Sequence, residues 1–500
     1  MHWRLAIILA IQAALVLGLA VGIATGRMPL GIRGEWEWPR LPAGVGPLGG
    51  TLALAITCIG VYGGFVALGA RRLAVPASRG VESLWLAALF ASSISVQLAV
   101  LYGAPYGYGL TRWAYVNYLP ASTGYFRIAR DRAAADPWRF LREYPEWIRG
   151  QDSLHIGTHP PGLIVAQCIL LRAMEGNPSL ASRLNAAMPE TVRVAFRSLP
   201  PTDGHPVRLA ERASLYATAL LTLLACAGTV IPLYLLARQA LPARVAWSAA
   251  ALWPLASAPN LFQPGADTTY PFLSSAAWAL AAWSVRRLHL RGRGSAGAWI
   301  TAAASGLVMA FGMVFTLAFL PVGLIVALFV LGERDLKWRD RLSLIAAVGV
   351  GFLAFILAGW IATRANPFVV WSWNLHHHAR FYDEYPRTYS LWLGANMIEL
   401  AIAIGLPPVV WFVIGLLKPR EVPRIVGISL LVLLLVNLTG RNMGEVARLW
   451  MLYIPPFLIA AAVGLERFPP RPIALAATTA LIGAQTLALQ SLIQVVYPAV

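Results

Sequence analysis

Apolar runs separated by short polar breaks fill most of this chain, except for one long polar island at residues 104–211. Runs near or above the ~20 residues needed to cross a bilayer cover residues 3–25, 48–70, 83–103, 212–237, 244–262, 270–285, 297–312, 315–331, 342–362, 391–416, 423–438, 448–465 and 472–495. They predict an all-α polytopic membrane protein of about thirteen transmembrane helices. The first run follows Arg4 as a secretory leader would. It is too long for a leader's apolar region, and no small-residue cleavage site precedes Arg27, so it reads as a spanning anchor. The stretch at 160–174 is helical in pattern but closes at Arg172 and Glu175 after about fifteen residues, short of a span. It is expected to lie at the interface, with Gln167 and Arg172 on its polar side.

Composition agrees with this pattern. Only 12% of residues are charged and 58% are hydrophobic, with a mean hydropathy of +0.64; soluble domains carry about a quarter charged residues. The three cysteines, Cys58, Cys168 and Cys226, fall in apolar stretches and do not form a disulfide framework. The net charge of +18 sits in loops between runs, where topology and anionic headgroups account for it, so nucleic acid is not an expected partner.

Basic residues collect in alternate loops, at Arg71, Arg72 and Arg79, at Arg238 and Arg244, at Arg286 to Arg293, at Arg334 to Arg341, at Lys418 to Arg424, and at Arg467 and Arg471. The positive-inside tendency makes these cytoplasmic. The N-terminus is then inside, and the C-terminus and the 104–211 island are outside, as expected for a bacterial-type plasma membrane. Arginines outside this pattern include Arg112, Arg127, Arg130, Arg132, Arg139, Arg142, Arg149, Arg380, Arg387, Arg441 and Arg448. Individually they are expected to pair with acids such as Asp131, Asp136 and Glu143. Collectively they suit an anionic ligand, since guanidinium groups bind phosphate in a bidentate manner.

The island reads as helical pieces at 125–135 and 137–144, with Asp136 capping and Pro137 opening the second. Its centre is Asp152-Ser153-Leu154-His155-Ile156-Gly157-Thr158-His159-Pro160-Pro161-Gly162. His155 and His159 have the i, i+4 spacing of metal ligands, but the prolines after His159 favour a helix that starts there, which leaves His159 to position that helix or to bond a phosphate. A second outer cluster is His376-His377-His378, in which one or two rings can face a common cavity. Near the C-terminus, Glu445 and Arg448 are i and i+3 and can pair on one helical face, with Arg441 upstream. Trp371, Trp373 and Trp392 are expected in interfacial belts. Glu399 is the main charge placed inside an apolar run.

This order of features resembles the GT-C membrane glycosyltransferases, closest to the protein-mannosyltransferase and aminoarabinose-transferase branch, in glycosyltransferase family 39. The resemblance rests on a long outer loop ending in His159-Pro160-Pro161, Arg212 opening a span, Asp267 in a following outer loop, and an Arg before Tyr453 and Pro455. On it, residues 1–82 form two added spans, 83–466 a catalytic module containing the 104–211 loop, and 467–500 a last span. It implies transfer of a sugar from a polyprenyl-phosphate donor to a glycan, lipid or protein acceptor beside the membrane lipids. A carboxylate would deprotonate or orient the acceptor hydroxyl, and Arg, His or a divalent metal would stabilise the departing phosphate. No cofactor is certain; a divalent metal is a candidate, with ligands unknown. The family carries an acid early in its first loop, where this chain has Ala121-Ser122-Thr123-Gly124-Tyr125. The base is therefore sought at Asp152 or Asp267, then Asp131, with His155, His159, His376, Arg441, Glu445 and Arg448 binding substrate. The competing classes are a transporter or flippase of a lipid-linked or anionic substrate, and a non-catalytic scaffold on the same fold. The scarcity of charges within runs disfavours a transporter.

Overall fold

The computed structural model describes residues 2–42, 44–120, 122–199 and 206–494. Apart from a two-stranded hairpin that pairs Gly31–Ile32 with Trp36–Glu37, the regular structure of these residues is helical. Seven helices are long and apolar enough to cross a bilayer: Trp3–Ala24, Gly49–Arg72, Arg79–Tyr102, Leu209–Ala237, Ala296–Met313, Trp338–Thr363 and Arg471–Leu492. An eighth span is obtained only if the bent pair Tyr389–Ile404 and Leu406–Leu416 is counted as one.

The expectation of about thirteen spans is therefore corrected to seven, at most eight. Apolar composition records burial, whereas spanning also demands one unbroken helix. The run at 244–262 breaks around Pro254 and Ala256 into Ala243–Leu252, a single tight turn and Ser257–Leu261. Tyr270–Arg291 has the length, but Arg286, Arg287, His289 and Arg291 charge its last turns. Phe319–Leu331, Arg424–Leu438 and Met451–Glu466 are apolar but short. The segment Ile454–Glu466 is apolar because the protein encloses it: all its residues but Glu466 are buried. The run at 391–416 turns by 108° at Gly405, whose φ of +107° is open to glycine and strained for other residues.

The seven helices pack around a core that includes Trp247, Trp253, Trp278 and Trp411, each fully enclosed. Lipid offers no hydrogen bonds, so buried polar ends need protein partners. Trp247 Nε1 donates to Val66 O at 2.9 Å, Trp253 Nε1 to Cys226 O at 2.7 Å, and Trp411 Nε1 to Thr478 Oγ1 at 2.8 Å. Tyr62 Oη donates to Ala251 O at 2.7 Å. The outward faces are large and apolar: Val61, Leu84 and Ile361 are 69%, 70% and 79% exposed, which a monomer in water rarely tolerates in such numbers. All three cysteines are free.

The island forms short helices over the ends of Arg79–Tyr102 and Leu209–Gly228. Asp136 caps Pro137–Trp147, its carboxylate accepting from Arg139 N at 2.9 Å. The helix Gly162–Glu175 has fourteen residues and packs on Leu209–Gly228; Thr218 Oγ1 donates to Gln167 Oε1 across that contact at 3.1 Å. Trp392 is fully buried and not in a belt, because its indole donates to Glu35 of the hairpin loop at 2.7 Å.

Candidate functional site

Three separate stretches of chain meet beneath the island. The first is the turn Ala266–Thr269, which carries Asp267 between Gly265 and the helix Tyr270–Arg291. It packs on Leu209–Gly228, and Gln263 Nε2 ties it to Thr268 Oγ1 at 3.2 Å. Arg112 of the island holds the preceding loop: its guanidinium donates to Leu261 O and, at 3.3 Å, to Asn260 O. Burial lowers Arg112 to about 10, so this arginine fixes backbone rather than ligand.

The second stretch is Glu445 and the single turn Val446–Leu449. Arg448 Nη2 lies 2.7 Å from Glu445 Oε2, and Nη1 lies 3.8 Å from Asp267 Oδ2. Glu445 adopts φ +56°, an unfavourable conformation for a non-glycine residue and one that concentrates at functional sites. Burial raises the Asp267 carboxyl above its ordinary range, and the Arg448 charge opposes that rise only in part. Burial also works against the charge of Arg448, but Glu445 and Asp267 outweigh it and hold the guanidinium above its usual value. Arg448 is therefore a cation at any working pH.

The third stretch contains the histidines. His155–Thr158 is a single turn, and His159 leaves it in extended conformation. His159 Nδ1 lies 3.0 Å from His155 O. Thr158 Oγ1 has carbonyl acceptors of its own at Leu154 and His155, so the arrangement that satisfies every group is Nδ1–H donating to His155 O. Nε2 then keeps its lone pair. Burial, followed by the field of Arg448, lowers His155 to about 3 and His159 to about 4, and both rings are neutral at physiological pH. Tyr125 seals the group: its hydroxyl donates to His155 O at 3.2 Å, and its ring meets that of His159 edge-on at 6.1 Å. Tyr144 Oη donates to His159 O at 3.1 Å.

The helix Pro367–Glu384 clamps this loop. Asn374 Nδ2 donates to Gly157 O at 2.8 Å, His377 Nε2 to Ile148 O at 2.9 Å, and Ser153 Oγ to Glu384. A side chain at Gly157 would run into Asp152 O and, at 3.1 Å, the His377 ring, so the clamp closes only on glycine.

Of the residues expected from sequence, Asp267, Glu445, Arg448, His155 and His159 come together. The other four stand apart. Asp131 is paired with Arg130 at 2.6 Å and is 42% exposed. Asp152 is exposed and accepts from Leu154 N at 2.9 Å, which stabilises its own turn. His376 points outward onto Trp373; His378 of the same run faces inward instead, lowered to about 4 by burial and then by the proximity of His159 and Arg441. Arg441 is exposed, and its carbonyl accepts from Tyr382 Oη at 3.0 Å. Sequence reasoning missed Tyr125 and Tyr144 and, within the His376-His377-His378 run it named, selected His376 rather than His378. Tyr125 follows directly on the segment that lacks the expected acid, a placement that could have flagged it.

The remaining island arginines are largely occupied. Arg139 pairs with Glu143 at 2.8 Å, and Arg132 and Arg149 lie over the rings of Trp147 and Trp373. A metal-capable group is present elsewhere: ligand atoms of His289, Glu333 and Asp335 lie within 4.8 Å of one another. It sits in the last turn of Tyr270–Arg291, roughly 30 Å from Asp267 at 1.5 Å per residue, so an ion there does not touch the Asp267–Arg448 group.

The fold and site define a multi-pass, largely α-helical integral membrane protein with a half-buried polar group beneath its island. No family model matches the chain, and no curated protein matches it by sequence.

Proposed function

We propose that this protein is an integral membrane glycosyltransferase that moves a sugar from a polyprenyl-phosphate donor to a glycan, lipid or protein acceptor, with the island on the outer face of a bacterial-type plasma membrane. One observation carries the reading: a carboxylate of raised proton affinity, Asp267, lies 3.8 Å from a half-buried permanent cation, Arg448, where membrane helices meet a polar cover. Sugar transfer from a phosphate leaving group requires that pairing of chemistries. Asp267, with its raised affinity for protons, is suited to take the proton of the acceptor hydroxyl. Arg448 neutralises the negative charge that grows on the departing phosphate. His159 is neutral with a free Nε2 lone pair, which suits it to accept from a hydroxyl of sugar or acceptor rather than to bind phosphate. Positioning both substrates against these groups supplies much of the rate.

The test is Asp267→Asn and Arg448→Ala, each expressed at the normal level, with analysis of envelope glycans and of polyprenyl phosphate released by the purified protein. Loss of transfer in both is expected. Unchanged glycans and unchanged release would overturn the assignment.

A further inference from the structure

Glu399 is deeply buried, being 9% exposed, and the proposed transfer does not use it. Its Oε1 accepts from Trp38 Nε1 at 3.1 Å and from Ala447 N at 3.0 Å. Its Oε2 is buried without a partner, a costly state that calls for a ligand. Glu399 lines a cavity of about 450 Å³, within the range that accepts a small ligand. The rest of the lining is almost wholly apolar, including Met28, Leu30, Phe262, Ala395 and Ile402. Its mouth is formed by Leu391, Gly394 and Ile398, one face of the helix Tyr389–Ile404. Leu391 and Ile398 are 51% and 57% exposed, and in a membrane that face meets hydrocarbon.

We propose that this cavity binds a membrane lipid whose hydrocarbon chain enters between Leu391 and Ile398 and whose hydroxyl end bonds Glu399 Oε2. A hydroxyl both donates and accepts, so it satisfies the carboxyl in either protonation state. A phosphate end is disfavoured beside an acid and would be drawn instead to the adjoining cavity of about 300 Å³, lined by Arg33 and Arg40 together with Glu37. The site is thus distinct from one for a phosphate-linked sugar donor. Ala447 forms part of its wall, so the bound lipid lies directly behind the turn that carries Arg448.

The experiment uses the full-length protein in nanodiscs with three photoactivatable probes of equal chain length, ending in a primary alcohol, an amine or a phosphate monoester. Crosslinked peptides are mapped by mass spectrometry. The alcohol is expected to label the peptide containing Leu391 and Ile398 at least tenfold more than the phosphate. A Cβ at Gly394 meets open space, so Gly394→Leu fills the mouth while keeping the fold, and should cut labelling tenfold. Glu399→Leu should lower it severalfold, since neither a donor nor an acceptor then faces the hydroxyl. Equal labelling by the phosphate probe, stronger labelling by the amine, or full labelling of Gly394→Leu would overturn the proposal, and none of these readouts depends on transferase activity.

Discussion

Asp267 and Arg448 are 181 positions apart, yet each sets the other's state. Burial raises the proton affinity of Asp267 and the Arg448 charge opposes that rise in part; Arg448 without its two acids would be a largely enclosed charge with no ionic partner, which is destabilising. On the proposed function, Asp267→Asn keeps shape and removes the proposed base, so transfer should fall about 10²- to 10⁴-fold while the melting temperature is held. The acid limb of the rate profile should reflect a carboxyl above the ordinary aspartate range, with activity lost as pH drops through it and the limb absent in Asp267→Asn. The histidines give a separate signature. His155 at about 3 and His159 and His378 at about 4 resist protons that the unfolded chain binds near 6.5. Their neutral burial is fully compatible with folding above pH 6.5, and stability is lost as pH falls from there toward 4. Melting in detergent at pH 5 should therefore be several degrees below that at pH 7.5, and a flat profile would contradict the buried-neutral assignment.

At the scale of elements, prolines and glycines decide where apolar sequence becomes a span. Gly405 turns the chain by 108° at a φ that L residues rarely adopt, and a Cβ there would approach Pro408 Cδ at 3.3 Å and Ile482 Cγ2 at 3.4 Å. Gly405→Ala is expected to cost about 1–3 kcal/mol, read as a lower melting temperature with unchanged helical content by circular dichroism. The metal-capable group joins the end of Tyr270–Arg291 to the loop after Phe319–Leu331. Glu333 also pairs with Arg424 at 2.9 Å, so the cation competes with any ion. Added Zn²⁺ or Mn²⁺ should raise the melting temperature, and His289→Ala should remove that increment while leaving transfer unchanged.

For the whole molecule, the polar island packs by the Asp267 end of the helix Tyr270–Arg291 and the His289 group lies at its other end. Single cysteines placed at Trp138, exposed on the island, and at Leu290, 73% exposed, in a background lacking Cys58, Cys168 and Cys226, test the orientation. A membrane-impermeant maleimide added to intact spheroplasts should label position 138 and not position 290; the reverse pattern would put the island inside.

Much was legible from residue order alone. Membrane residence followed from hydropathy, the fourteen-residue helix after His159-Pro160-Pro161 from its bounding charges, the Asp136 cap from the Asp-Pro pair, and the Glu445–Arg448 contact from i, i+3 spacing. Each depends on neighbours within a few residues, which sequence states directly. The number of spans did not, because Ile454–Glu466 owes its apolarity to other helices around it rather than to lipid. Nor could sequence choose among Asp131, Asp152 and Asp267, or between His376 and His378. Those placements rest on which side chain lies beside Arg448 or His159, and burial and charge fields depend on distances through space that only the packed chain fixes.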